Sequence, residues 1–114
     1  MFYSRSIVSA RCDFNAVFYE AIVEVMTELL GSQVLEALLN ALEKFHNIHR
    51  DEIPYQLDTT YALLEQTFGI PSARTIGMRI VKRLYKKLSI PFIEQPDHSV
   101  VDYVNLAKKK LKEK

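Results

Sequence analysis

The sequence predicts an all-α protein, a compact bundle of about five helices with short connections. Three observations predict it. Apolar residues recur at helical spacing along most of the chain. Helix-stopping and helix-starting residues, namely Gly31, Gly69, Pro71 and Ser99, fall between those stretches. Only three Gly and four Pro occur in 114 residues, which leaves little room for long structureless loops.

At this length the chain is expected to form a single domain, 1–114. It divides into an N-terminal arm (1–12), a helical core (13–88), a connector (89–98) and a C-terminal helix with a lysine-rich end (99–114). Hydrophobic residues make up 48% and charged residues 25%, an ordinary globular balance that excludes disorder as a class. Cys12 is the single cysteine, so no disulfide can form within the chain, and a reducing, cytoplasmic setting is expected. The opening "MFYSRSIVSARCDF" lacks the apolar run and small-residue cleavage site of a secretory leader. The most apolar stretch, 14–30, carries Glu20, Glu24 and Glu28. Three carboxylates argue against a membrane span.

The elements follow in order. Residues 1–12 show no clear period; the alternation in "FYSRSIV" suits a short strand or an arm lying on another subunit. Asp13 can cap a helix that runs to about Leu30, with Gly31 as its stop. This helix is apolar almost all round, with Glu20, Glu24 and Glu28 as a narrow stripe at i, i+4 and i+8. So much apolar surface predicts a central place in the bundle or burial in a homodimer. Ser32 can cap a second helix with the stripe Val34, Leu35, Leu38, Leu39, Leu42 and Phe45, fraying near "HNIHRDE". Pro54 marks a loop or a helix start. Leu57, Tyr61, Leu64 and Phe68 form the stripe of a third helix that Gly69 ends.

Pro71 suits the first turn of the fourth helix, whose apolar face holds Ala73, Ile76, Gly77, Ile80, Val81, Leu84 and Leu88. Gly77 in mid-helix costs roughly 1 kcal/mol relative to Ala, so a neighbouring helix is expected to approach closely there. "SIPFIEQPDHS" is a connector with two prolines. Ser99 and Asp102 resemble a capping box for a last helix. Its apolar side is Val100, Val101, Val104, Ala107 and Leu111, and its end is "KKKLKEK".

The net charge of +1 conceals a division. Residues 1–70 carry 4 basic and 10 acidic side chains, and residues 71–114 carry 11 basic and 4 acidic ones. Either the two halves meet, within or between chains, or the C-terminal half faces an acidic partner. On the fourth helix Arg79, Lys82, Arg83 and Lys86 gather opposite the apolar face. With Lys108 and Lys109 of the last helix they are the candidate contact residues for a protein partner or a polyanion. Base-reading groups on this helix are few, Thr75 and Arg79.

Other chemistry is thinly represented. His46 and His49, followed by Asp51 and Glu52, have a spacing that can bring two imidazoles onto one face, but histidines at a helix C-terminus also favour the dipole and face water. Cys12 sits just before a helix, where a thiol pKa falls, yet nothing marks a catalytic partner. There is no phosphate loop, GxSxG, CxxC or HExxH. Neither an enzyme nor a cofactor is expected. Tyr55, Tyr61, Tyr85 and Tyr103 read as core-edge residues rather than base-stacking platforms.

The segment "VLEALLNALEKFHNIHRDEIPYQLDTTYALLEQTFGIPSARTIGMRIVKRLYKKL" resembles the small archaeal helical domains of the Nitrosopumilus output domain type. The shared cues are a helix ending before "NIHRDEIP", then "LLEQTFG", then a small-residue turn into an amphipathic helix ending "RLYKKL". "SVVDYVNLAKKK" is similar to the tail that follows in such domains. The resemblance implies an archaeal signalling or regulatory module and brings no functional residues with it. The expectation is a cytoplasmic, non-enzymatic interaction module, a homodimer with a further protein partner. The alternative is a DNA-binding regulator using residues 74–88 and the lysine tail.

Overall fold

The structure, a computed structural model, describes residues 14–113, with side chains through Leu111. The expectations for the arm, for Cys12 and for the Asp13 cap lie outside the described residues. Among the described residues five α-helices follow in order: α1 (Phe14–Leu30), α2 (Ser32–His46), α3 (Leu57–Phe68), α4 (Ile70–Lys87) and α5 (Val100–Glu113). A 3-10 helix (Arg50–Tyr55) sits between α2 and α3. The protein is all-α, as its periodicity predicts. Among the described residues no helix is long and apolar enough to cross a membrane.

Local chemistry sets the helix ends. Gly31 and Gly69 hold φ of +91° and +89°, which side chains rarely tolerate, so each breaks one helix and starts the next without a pause. The second helix is therefore capped by Gly31 with no side-chain bond, and Ser32, expected as the cap, is its first residue. Its other end does not fray. Asn47 turns left-handed (φ 58°, ψ 37°), and the amides of Asn47 and Ile48 bond to the carbonyls of Glu43 and Leu42, closing the helix sharply. Pro54 lies inside the 3-10 helix, an element that apolar period does not reveal. The capping box at α5 forms with both arms. The Ser99 amide donates to Asp102 Oδ2 at 3.0 Å, and the Asp102 amide donates to Ser99 Oγ at 3.1 Å.

α1 is the central element. It packs most extensively on α4, and then on α2 and the 3-10 helix. Phe14, Phe18, Ala21, Ile22, Val25 and Met26 are buried, and Val17, Tyr19, Val23 and Leu30 are partly covered. A single copy of the chain thus takes up most of the apolar surface from which a homodimer was expected. α3 rests on α4 and the 3-10 helix, with Leu64 its only fully buried residue. α2 and α3 barely touch each other, so a cleft runs between them.

α5 packs on α4 through Val100, Tyr103, Val104 and Ala107. Tyr103, 1% exposed, takes a place in the buried face that the sequence had assigned to half-exposed Val101. Its hydroxyl accepts from the Gln95 amide at 2.7 Å and donates to the Gln95 carbonyl at 2.9 Å. The Tyr85 hydroxyl in turn donates to the Tyr103 carbonyl at 2.8 Å. Phe92 and His98 stack around the Tyr103 ring at 5.2 and 5.3 Å. The connector is therefore pinned along its length by one buried side chain.

Gly77 is the close approach its position predicted. A Cβ there would lie 2.8 Å from Val100 Cγ2 and 3.1 Å from Tyr61 Cε1. Three helices converge at this one residue.

Candidate functional site

The acidic stripe of α1 faces the basic side of α4. Arg83 straddles two glutamates, donating from Nη1 to Glu24 at 2.9 Å and from Nη2 to Glu28 at 2.8 Å. Lys87 repeats the pattern one turn on, with Glu20 at 2.6 Å and Glu24 at 2.8 Å. The stripe of three acids and two bases spaced four apart makes a continuous ionic seam. Hydrogen bonds from Lys87 and then Arg83 hold the Glu24 carboxyl below its ordinary value of 4.5. Arg83 does the same for Glu28. The Lys87 ammonium is raised, chiefly by Glu20.

The seam sets a pH dependence. Carboxylates with lowered values stabilise the fold fully above 4.5, the value they return to on unfolding, and lose that contribution as pH falls through the lowered values. The melting-temperature gap between the protein and Arg83→Gln is therefore expected to be steady near neutral pH and to close below pH 4.5. Added salt should narrow it as well, because the groups are partly exposed. Thermal melts across pH and salt read both effects.

The other sequence-derived site residues separate. Arg79, Lys82 and Lys86 are exposed, and none makes an ion pair among the described residues. Arg79 and Lys82 line a shallow hollow with Arg74 and Thr75, and Lys82 also lies 5.7 Å from the Phe92 ring. Lys108 sits 6.0 Å from the Phe14 ring, and Lys109 is exposed on α5. Arg83 is thus engaged inside the chain. Lys87 is a partner the sequence reading missed; its signal was its place one turn after Arg83, matching the glutamate spacing.

The histidines stand apart. His49 Nδ1 lies 3.4 Å from Glu43, and the His49 amide donates to Glu52 at 2.8 Å. His46 is exposed. Among the described residues no three His, Cys, Asp or Glu side chains gather as metal ligands would. Tyr85 and Tyr103 are core residues and Tyr61 is half-buried, whereas Tyr55 is 70% exposed.

The cleft between α2 and α3 is the most distinctive concavity, and no motif announced it. Leu35, Leu38, Leu39 and Leu42 of α2 form one wall, Leu57, Tyr61, Leu63 and Leu64 of α3 the other, and Phe18, Ile22 and Ile80 the floor. It encloses a cavity of about 50 Å³ and presents no polar atom. That volume exceeds one water, but a water would find no partner there, so the site favours carbon. On the same helix Val34 (39% exposed) and Phe45 (73%), both expected in the core, project into solvent. They stand eleven residues apart, which returns to the same side of a helix. The arrangement can receive an apolar side chain. Comparison of the chain with family models, curated proteins and solved structures returns no match.

Proposed function

We propose that the protein is a non-enzymatic interaction module that captures an apolar anchor of a partner protein in the α2–α3 cleft. The observation that carries this reading is the cleft itself, an opening whose exposed surface is apolar, between two helices that scarcely meet. Exposed Val34 and Phe45 extend the apolar surface along α2. The seam supports it from the other side, because Arg83 and Lys87 are withdrawn from any polyanion. A signalling or regulatory role in an archaeal cytoplasm agrees with the resemblance to the Nitrosopumilus output domain type. Self-association, if it accompanies partner binding, has the exposed α2 side to use rather than α1.

Selection of displayed peptides on the full chain tests the reading. Enriched peptides are expected to carry large apolar residues, to lose binding on Leu63→Glu, and to ignore Arg79→Ser with Lys82→Ser. Peptides indifferent to Leu63→Glu would overturn it. The DNA-binding alternative keeps one observation in its favour, the exposed trio Arg79, Lys82 and Lys86 on one side of α4. It predicts duplex binding that weakens steeply with salt and is lost on changing those three residues to Ser.

A further inference from the structure

We propose that the outer face of α4 is a second docking surface, and that it takes an acidic helical segment of a partner protein bearing an apolar side chain among its carboxylates. The surface is separate from the α2–α3 cleft, because the hollow on this face and the cleft share no lining residue.

Charge argues first. α4 holds six bases, Arg74, Arg79, Lys82, Arg83, Lys86 and Lys87, and no acid. The seam occupies Arg83 and Lys87. Arg74, Arg79, Lys82 and Lys86 are exposed, and none makes an ion pair among the described residues. Arg79 attracts Glu28 from a distance, but that carboxylate is already bonded to Arg83. Arg74 reaches the His98 carbonyl, at 3.4 Å. Lys82 follows Arg79 by three residues and Lys86 follows Lys82 by four, the spacings at which like charges on a helix repel. An acidic partner turns that repulsion into attraction.

Shape then chooses among polyanions. Pro71, Arg74, Thr75, Met78, Arg79 and Lys82 line a hollow whose exposed surface is mostly carbon. Half-buried Met78 stands one turn after Arg74 and one turn before Lys82. A duplex backbone presents phosphate and sugar, which leave that carbon unmatched. Thr75, one of the two candidates for base reading, donates its hydroxyl to the Pro71 carbonyl at 3.1 Å. A leucine-like side chain covers Met78, which adapts readily to apolar neighbours, while carboxylates to either side meet the cations. From Arg74 to Lys86 the helix rises about 18 Å, so a partner helix of about three turns spans all four bases.

The test uses the full chain and a fluorescein-labelled peptide of about three helical turns, with glutamates along one side and a leucine among them, read by anisotropy. The peptide is expected to bind and to weaken with added salt. Arg79→Gln with Lys82→Gln should cost about tenfold in affinity. Met78→Ser should cost about fivefold against this peptide and nothing against one with serine in the leucine's place. Arg79→Glu with Lys82→Glu should refuse the acidic peptide and accept its lysine counterpart. Circular dichroism checks that each variant keeps its helicity.

Four results would overturn the proposal. Equal affinity for the leucine and serine peptides removes the apolar contact. A labelled DNA duplex that binds more tightly than the peptide, and ignores Met78→Ser, gives the face to nucleic acid. Binding by neither probe leaves the four bases as a solvated surface. Loss of the peptide on Leu63→Glu puts it in the cleft instead. Leu63→Glu is expected to change nothing here, so failure of this surface and failure of the cleft reading are separate results.

Discussion

Replacing Tyr103 with Ala is expected to cost about 3–5 kcal/mol, the range for deleting a large buried aromatic. The loss is compound. The ring is sealed in the core and packs on Phe92 and His98. Its hydroxyl satisfies both the amide and the carbonyl of Gln95, which are left without that partner in the variant. Against a total stability of about 5–15 kcal/mol, such a change approaches unfolding at physiological temperature. Tyr103→Phe isolates the polar part, with an expected cost of about 1–3 kcal/mol. Amide exchange at Gln95 should quicken in Tyr103→Phe while α1 and α4 keep their protection. Uniform loss of protection across the bundle would show that the connector is not separately held.

The second large effect is expected at Gly77. A mid-helix Gly→Ala change gains about 1 kcal/mol in an open helix. Here the added carbon would sit 2.8 Å from Val100 Cγ2, a distance real side chains do not tolerate. Val100 is buried and branched at Cβ, so it yields poorly. Overpacking of about 1–3 kcal/mol should outweigh the helical gain and make Gly77→Ala destabilising. Gly77→Leu should cost about 3 kcal/mol or more by forcing α3 and α5 away from α4. Adding Val100→Ala to Gly77→Ala should recover part of the loss, a coupling that denaturant melts of the four-member cycle would read directly. Independent, additive effects would exclude the contact as the cause.

Much of this architecture was legible because it is local. Gly31, Gly69, Pro71 and the Ser99–Asp102 pair act through their own backbone, and each falls at or beside a helix boundary. Apolar stripes were legible for the same reason. What periodicity lacks is the identity of the facing surface. The glutamate stripe and the basic side of α4 were both visible, yet only folding brings residues 20–28 against 83–87. Tyr103 was misplaced because its polar end is satisfied eight residues back by main chain of a segment with no period of its own. Val34 and Phe45 were assigned to the core because a stripe cannot tell how wide the contact beneath it is. The cleft was invisible throughout: it arises from α2 leaning on α1 and α3 on α4, a matter of spacing between helices rather than of residue type.

The ionic seam also works as a vernier. Apolar stripes repeat every turn, so α1 could slide along α4 by one turn, about 5.4 Å, and still meet oil with oil. The charges break that freedom in one direction. If Lys87 moved onto Glu24 and Glu28, Arg83 would keep Glu28 alone and Glu20 would be stranded. In the other direction Arg79, one turn before Arg83, would move into the place Arg83 leaves. Packing holds these two helices together; the charges set the stop on one side.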